Sequence, residues 1–227
     1  MILKQGDITM TPHSARQIAV LAALLFFALS IAPAATQDLS VGDIVKALRP
    51  KAKVRALDLE QMARESRQND VVNRLQREKT RGITIEEKDE IAAVIEENEL
   101  PAIDLEVFFA SNSADITPEA LPVLERLGAA LSDESLKGSV FLVAGYTDAK
   151  EAGDHDLGLS ERRAKAVRSF LIDKFSIDPE QLVAVGFGEE QLKNKEDPRA
   201  AENRRVQVVN MASEDVAAKA GPGEANE

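Results

Sequence analysis

The chain has 227 residues, with 39 acidic against 28 basic side chains and a formal net charge of −11. That length suits one or two domains, and the acidic balance argues against binding nucleic acid through its phosphates. With no cysteine, the sequence excludes disulfides, thiolate metal sites, a cysteine nucleophile and a lipid anchor on an N-terminal cysteine.

Lys4 and Arg16 precede the apolar run Ile18–Ala32, and Ala32-Pro33-Ala34 forms a small-x-small site ahead of Ala35. This pattern predicts a secretory signal over residues 1–34. The run, at about 15 residues, is short for a membrane span, which needs roughly 20; retained uncleaved, it would act as an anchor. Residues 35–100 are expected to form a charged leader, helical or partly disordered. Within it, Asp43–Leu48 offers a short helix stopped by Pro50. Leu57, Val71, Val72 and Leu75 are too sparsely spaced to predict a buried stripe. Glu86–Glu97 presents one apolar face, Ile91, Val94 and Ile95, with Thr84 as its cap. The leader is too short for even the smallest membrane barrel, so no membrane-spanning barrel is expected.

Pro101 marks the start of a domain over residues 101–211. Ala102–Phe109 alternates as a first strand, and Ser111–Ile116 is a loop in which Phe109 and Ser113-Ala114 keep a fixed spacing. Thr117-Pro118-Glu119 opens a helix with a capping hydroxyl and a proline in its first turn. Leu121, Leu124, Leu127 and Leu131 recur at helical spacing. Ser139–Ala144 is the central strand, and a second helix starts near Ser160 with Ala164, Val167, Leu171 and Phe175 inward. Leu182–Val185 and Val206–Val209 are the last two strands, joined by a polar loop or brief helix. The tail, 212–227, is rich in turn formers and is expected to be disordered. The order strand, helix, strand, helix, strand, strand predicts an α/β two-layer sandwich, a mixed four-stranded sheet with helices on one face.

The stretch Val143–Val167 carries the chemistry. Its strand runs into Gly145-Tyr146-Thr147-Asp148, a polar loop follows, and Leu159-Ser160-Glu161-Arg162-Arg163-Ala164 opens the helix. A strand end and a helix start so joined form a crevice of the kind that holds ligands in α/β sheets, and helix N-termini attract anions. Asp148 would take an ammonium, while Arg163 and the helix start would take a carboxylate. Arginines in a first helical turn oppose the macrodipole, a local exception of the kind found at functional sites. Asp is also a common turn former after a strand, so spacing by itself leaves a purely structural role open.

Four blocks occur in order: Gly145-x-Thr147-Asp148; Leu159-Ser160-Glu161-Arg162-Arg163-Ala164; Gly186-Phe187-Gly188-Glu189; and Asn203-Arg204-Arg205-Val206. Together they resemble the C-terminal domain of the OmpA-like family. The resemblance implies a peptidoglycan-binding module that recognises the diaminopimelate residue of the stem peptide and tethers its protein to the cell wall. It carries the family's ligand-binding Asp onto Asp148 and its Arg onto Arg163. It also implies contacts from Thr147, Asn203 and Arg204, the last as a second carboxylate or backbone contact; a charged edge that keeps the sheet from self-pairing is the plain alternative for Asn203-Arg204-Arg205, and strand alternation turns Arg205 away from Arg204. Asp156 stands where the family has an Asn that helps hold the ligand; it keeps an acceptor and loses the amide donor. Tyr146 replaces the usual His, His155 the usual Tyr, and Ala200 an Arg before the last block. The implied location is the periplasm, wall-associated or outer-membrane-associated, with envelope proteins as possible partners of residues 37–99.

Rival readings are weaker. Asp148, Asp154, His155 and Asp156 lack the spacing of a Ca²⁺ loop, and one His without Cys does not suit zinc; no metal or cofactor is expected. A periplasmic cell-wall hydrolase lacks support, because His13 falls in the signal and no Ser sits in a Gly-x-Ser-x-Gly elbow; no enzymatic activity is expected. A membrane-anchored stator-like component would require an uncleaved Ile18–Ala32 segment, and that segment carries no acidic group for ion coupling.

Overall fold

The computed structural model describes residues 39–50, 59–77, 83–110, 112–149 and 154–212, with only the backbone of 154–156. The expected signal (1–34) and nearly all of the tail (212–227) lie outside these residues. Among the described residues, no helix is long and apolar enough to cross a membrane.

The described residues form five α-helices and four strands in the order α1 (Val41–Leu48), α2 (Leu59–Arg77), α3 (Ile85–Glu97), β1 (Ala102–Leu105), α4 (Leu121–Leu131), β2 (Phe141–Tyr146), α5 (Asp154–Phe175), β3 (Leu182–Gly188) and β4 (Val206–Asn210). The sheet runs β1-β4-β2-β3. β4 is antiparallel to both its neighbours, whereas β2 and β3 are parallel and joined through α5. The sheet is therefore mixed and four-stranded, as the sequence predicts.

Strand alternation divides the interior in two. Leu105, Phe141, Val143, Leu182, Val206 and Val208 face one side, where α1, α4 and α5 supply Ile44, Leu48, Leu124, Leu127, Val167 and Leu171. Leu142, Ala144, Tyr146, Val185, Phe187 and Val209 face the other, and there they meet Val71 and Leu75 of α2 and Ile91 and Val94 of α3. The helices of residues 101–211, α4 and α5, lie on one face as predicted, while α2 and α3 of the leader cover the second face and add a third layer. All six residues of β2 are buried, as befits a strand covered on both sides.

Local chemistry fixes the helix starts. Ser40 and Asp43 form a capping box on α1, and Thr84 and Glu87 form one on α3, satisfying N–H groups that the first turn leaves open. Thr84 is the cap the sequence indicates. Thr117 is not: its hydroxyl donates to the Phe108 carbonyl at 3.3 Å, a 3-10 turn occupies Pro118–Ala120, and α4 begins at Leu121.

Candidate ligand site at one end of the sheet

Register gathers the motif blocks. Val206 pairs with Leu105 on one side and Gly145 on the other, and Gly145 pairs with Gly186. The segments leaving β1, β2 and β3 and the one entering β4 therefore meet at the same end of the sheet. Two motif glycines let α5 join them there. A Cβ on Gly145 would lie 2.4 Å from the Ser160 carbonyl oxygen, and one on Gly186 would lie 2.3 Å from the Glu161 nitrogen. Only a residue without a side chain permits backbone to approach backbone so closely. Ser160, fully buried, locks the contact: its Oγ donates to the Leu157 carbonyl at 2.8 Å and accepts from the Gly188 N–H at 3.0 Å.

α5 starts at Asp154, not near Ser160. Arg163 accordingly sits in the third turn, and the predicted conflict with the macrodipole and the carboxylate site at the Ser160 helix start are both withdrawn. The arginine is held from outside its own helix. Its Nε donates to the Ser113 carbonyl at 3.0 Å, and its guanidinium carbon stands 5.0 Å from the centre of the Phe109 ring, within cation–π range. The loop that provides these contacts is shaped by Ser113, whose hydroxyl bonds Asp115 Oδ2 at 2.7 Å and accepts from the Asp115 N–H at 2.9 Å. In the sequence Phe109 and Ser113 show only as a spacing, with no sign that they seat Arg163.

Asp148 follows β2 and is 6% exposed. Its Oδ2 accepts from Arg204 Nη1 at 2.8 Å, and the arginine, 40% exposed at its side chain, bridges the buried carboxylate and solvent. A pair of this kind is costly to break, because the remaining charge would be buried alone. Beside it, Thr147 is buried at 3% exposure, and its hydroxyl has no hydrogen-bond partner among the described residues. Buried polar groups are nearly always satisfied, so this orphan hydroxyl calls for an explanation.

Asn203 is corrected to a scaffold role. It is fully buried; its Nδ2 donates to the carbonyls of Asn194, Asp197 and Pro198, and its Oδ1 accepts from the Asn194 N–H at 2.8 Å. Both ends of the amide are consumed in shaping the loop that delivers Arg204. Arg205 turns away from Arg204, as strand alternation predicts, and its guanidinium lies 3.8 Å from the centre of the Tyr146 ring. Tyr146, the replacement for the family's His, is stacked on Phe187 with ring centres 5.2 Å apart and belongs to the interior of the second face. The side chains of Asp154, His155 and Asp156 lie outside the described residues, so the predicted role of Asp156 has no geometry to report. Among the described residues, no three His, Cys, Asp or Glu side chains cluster as a metal site would require.

Comparison with known proteins meets this geometry. Residues 108–206 match the OmpA family. Over 103 residues the chain is 33% identical to the peptidoglycan-associated lipoprotein of Pseudomonas putida, covering 44% of this chain and 60% of that protein. Over 84 residues it is 38% identical to outer membrane protein A of Escherichia coli O157:H7, covering 37% of this chain and 24% of that one. The crystal structure of the peptidoglycan-associated lipoprotein from Burkholderia pseudomallei superimposes on 45% of this chain and 86% of its own, with a TM-score of 0.39 and 27% identity. The chain thus spans 60% or less of the length of these two curated relatives.

Proposed function

From the OmpA family domain at residues 108–206 we infer a non-covalent peptidoglycan-binding module that holds this chain to the cell wall. The similarity to proteins named for peptidoglycan association supports the ligand class. The observation that carries the reading is the buried Asp148–Arg204 pair beside the orphan Thr147 hydroxyl.

The ligand proposed is the free zwitterionic end of diaminopimelate in the stem peptide. A zwitterion suits a site that already holds opposite charges: its ammonium meets Asp148, its carboxylate meets Arg204 and Arg163, and the Thr147 hydroxyl gains a partner. Every charge then has an opposite neighbour, and no ion is buried alone. Asp156 remains a proposed acceptor on the strength of the motif. Charge-assisted hydrogen bonds contribute roughly 1.5–3 kcal/mol each, so two or three give binding of about micromolar to millimolar strength. A polymer that repeats the ligand converts such weak contacts into retention. Export through the 1–34 segment would bring the module to the wall, and the reading requires binding without turnover.

Cosedimentation with purified sacculi tests it. The intact chain pellets with sacculi and is released by free diaminopimelate, and the sacculi yield no new fragments by mass spectrometry. Asp148→Ala and Arg163→Ala stay in the supernatant with unchanged circular dichroism. Pelleting by both variants would end the assignment.

A further inference from the structure

β3 is an edge strand, and its outer side opens into a groove of about 320 Å³ between α5 and the α2–α3 pair. In a parallel ladder, alternate residues direct their N–H and C=O towards the neighbour and away from it. Phe141 N bonds the Gln181 carbonyl, so Leu182, Ala184 and Gly186 turn their main-chain groups outward. The Leu182 carbonyl is already covered, accepting from Arg168 Nε at 2.7 Å. Ala184, two residues on, faces the groove.

Charge in the groove is unevenly satisfied. Arg74 is paired with Glu90, Lys165 with Glu161, and Glu87 accepts from the Thr84 N–H. Lys88 lines the same space and is 3% exposed; its main-chain N–H bonds the Thr84 carbonyl, while its ammonium lies within the electrostatic reach of Glu190 and Glu161. Burial holds its ammonium below the usual lysine range, against the pull of Glu190 and Glu161. Withdrawing much of a charged side chain from water is costly unless the charge is closely paired, and a carboxylate arriving through the groove would offset that cost.

We propose that this groove receives an extended peptide bearing an acidic side chain, which adds to β3 as a further strand through Ala184 and places its carboxylate on Lys88 Nζ. Main-chain pairing supplies affinity in such strand addition, and the side-chain pocket supplies specificity. Here the pocket selects Glu or Asp over their amides. The site lies along the outer edge of β3, is independent of the wall-binding proposal, and uses none of its residues.

The test titrates the full ¹⁵N-labelled chain with N-acetyl-Thr-Val-Glu-Val-Thr-amide and with the same peptide carrying Gln for Glu. Amide resonances of Leu182, Ala184 and Gly186 shift, and the Ala184 N–H becomes protected from exchange. The Gln peptide binds about ten-fold more weakly, as loss of one charge-assisted bond requires. Lys88→Met weakens the Glu peptide to the same level and removes the preference between the two, the coupling that a double-mutant cycle isolates. The peptide-side change leaves the protein untouched, so a folding defect in the variant cannot imitate the result. No shift at millimolar peptide, equal affinity for both peptides, or shifts at Thr147 and Asp148 instead would each overturn the proposal.

Discussion

Burial sets the behaviour of single residues at the two faces of this sheet. Tyr146 is the chain's one tyrosine; its ring packs among the apolar side chains of the second face, and its phenol donates to Gln207 Oε1 at 3.2 Å. Burial pushes its pKa from 10.0 up to about 12, with the nearby Arg205 guanidinium opposing the rise. An unfolded tyrosine ionises near its ordinary value while the folded one resists. Its contribution is therefore fully present below pH 10 and is lost as pH rises from 10 towards about 12. The whole effect amounts to about 3 kcal/mol at most, since a tenfold change in proton affinity corresponds to roughly 1.4 kcal/mol. Ultraviolet titration reads this tyrosine directly: the phenolate band should grow in near pH 12 in the native protein and near 10 in denaturant. Urea unfolding at alkaline pH should then show a steep loss of stability in the natural chain and a shallower one in Tyr146→Phe. A native midpoint at the denatured value would show that the ring is hydrated.

At the scale of elements, the contact between α5 and the sheet decides whether the ligand site exists. Gly145→Ala and Gly186→Ala place a methyl against main-chain atoms of Ser160 and Glu161 that cannot turn aside. α5 must move outward, at a cost of about 1–3 kcal/mol for overpacking, and it carries Arg163 away from Ser113. Both variants should melt earlier and lose sacculus binding. Gly158→Ala is the control within the same helix, since its Cβ meets only the end of the Arg162 side chain, and an alanine there gains up to about 1 kcal/mol in helix propensity. If Gly145→Ala and Gly186→Ala bind and melt like the natural chain, the close contact is not what positions Arg163. These glycines also show what was legible. Apolar alternation and helical spacing indicated the strands and the order of the elements, and the motif blocks pointed to Asp148 and Arg163 as neighbours at one sheet end. The start of α5 was not legible, because Gly158 and the Asp154-His155-Asp156 run disfavour a helix locally; burial of Leu159 and the Ser160 hydrogen bonds override that preference. The inward role of Asn203 was hidden for a different reason: a motif assigns residues to a site without telling a ligand contact from the residue that shapes its loop.

Over the whole molecule, the leader and the domain that matches the OmpA family share one interior. The sequence carried a sign of this that alternation rules passed over: Val140–Ala144 is an unbroken apolar run, the mark of a strand covered on both faces. The covering helix α2 was obscured because its inward stripe includes Gln68, which is buried and bonds the carbonyls of Met211 and Ala212 at 3.2 Å. α1 is tied in similarly, with Asn210 Nδ2 donating to the Leu48 carbonyl at 2.9 Å and Ile44 and Leu48 fully buried. None of α1–α3 falls within residues 108–206, so helices outside the matched segment complete this interior. A fragment of residues 101–212 would expose Leu142, Ala144, Val209 and Phe187 on one side and open the α1 seat on the other. Each such side chain contributes about 1.5–3 kcal/mol when buried, and each kcal/mol moves the melting temperature by about 2–4 °C at this size. Residues 39–212 should therefore melt at least about 10 °C above residues 101–212, and only the shorter fragment should bind a hydrophobic dye. Equal melting temperatures without dye binding would mean that the leader helices rest on the sheet without stabilising it, and the three-layer account of this fold would have to be abandoned.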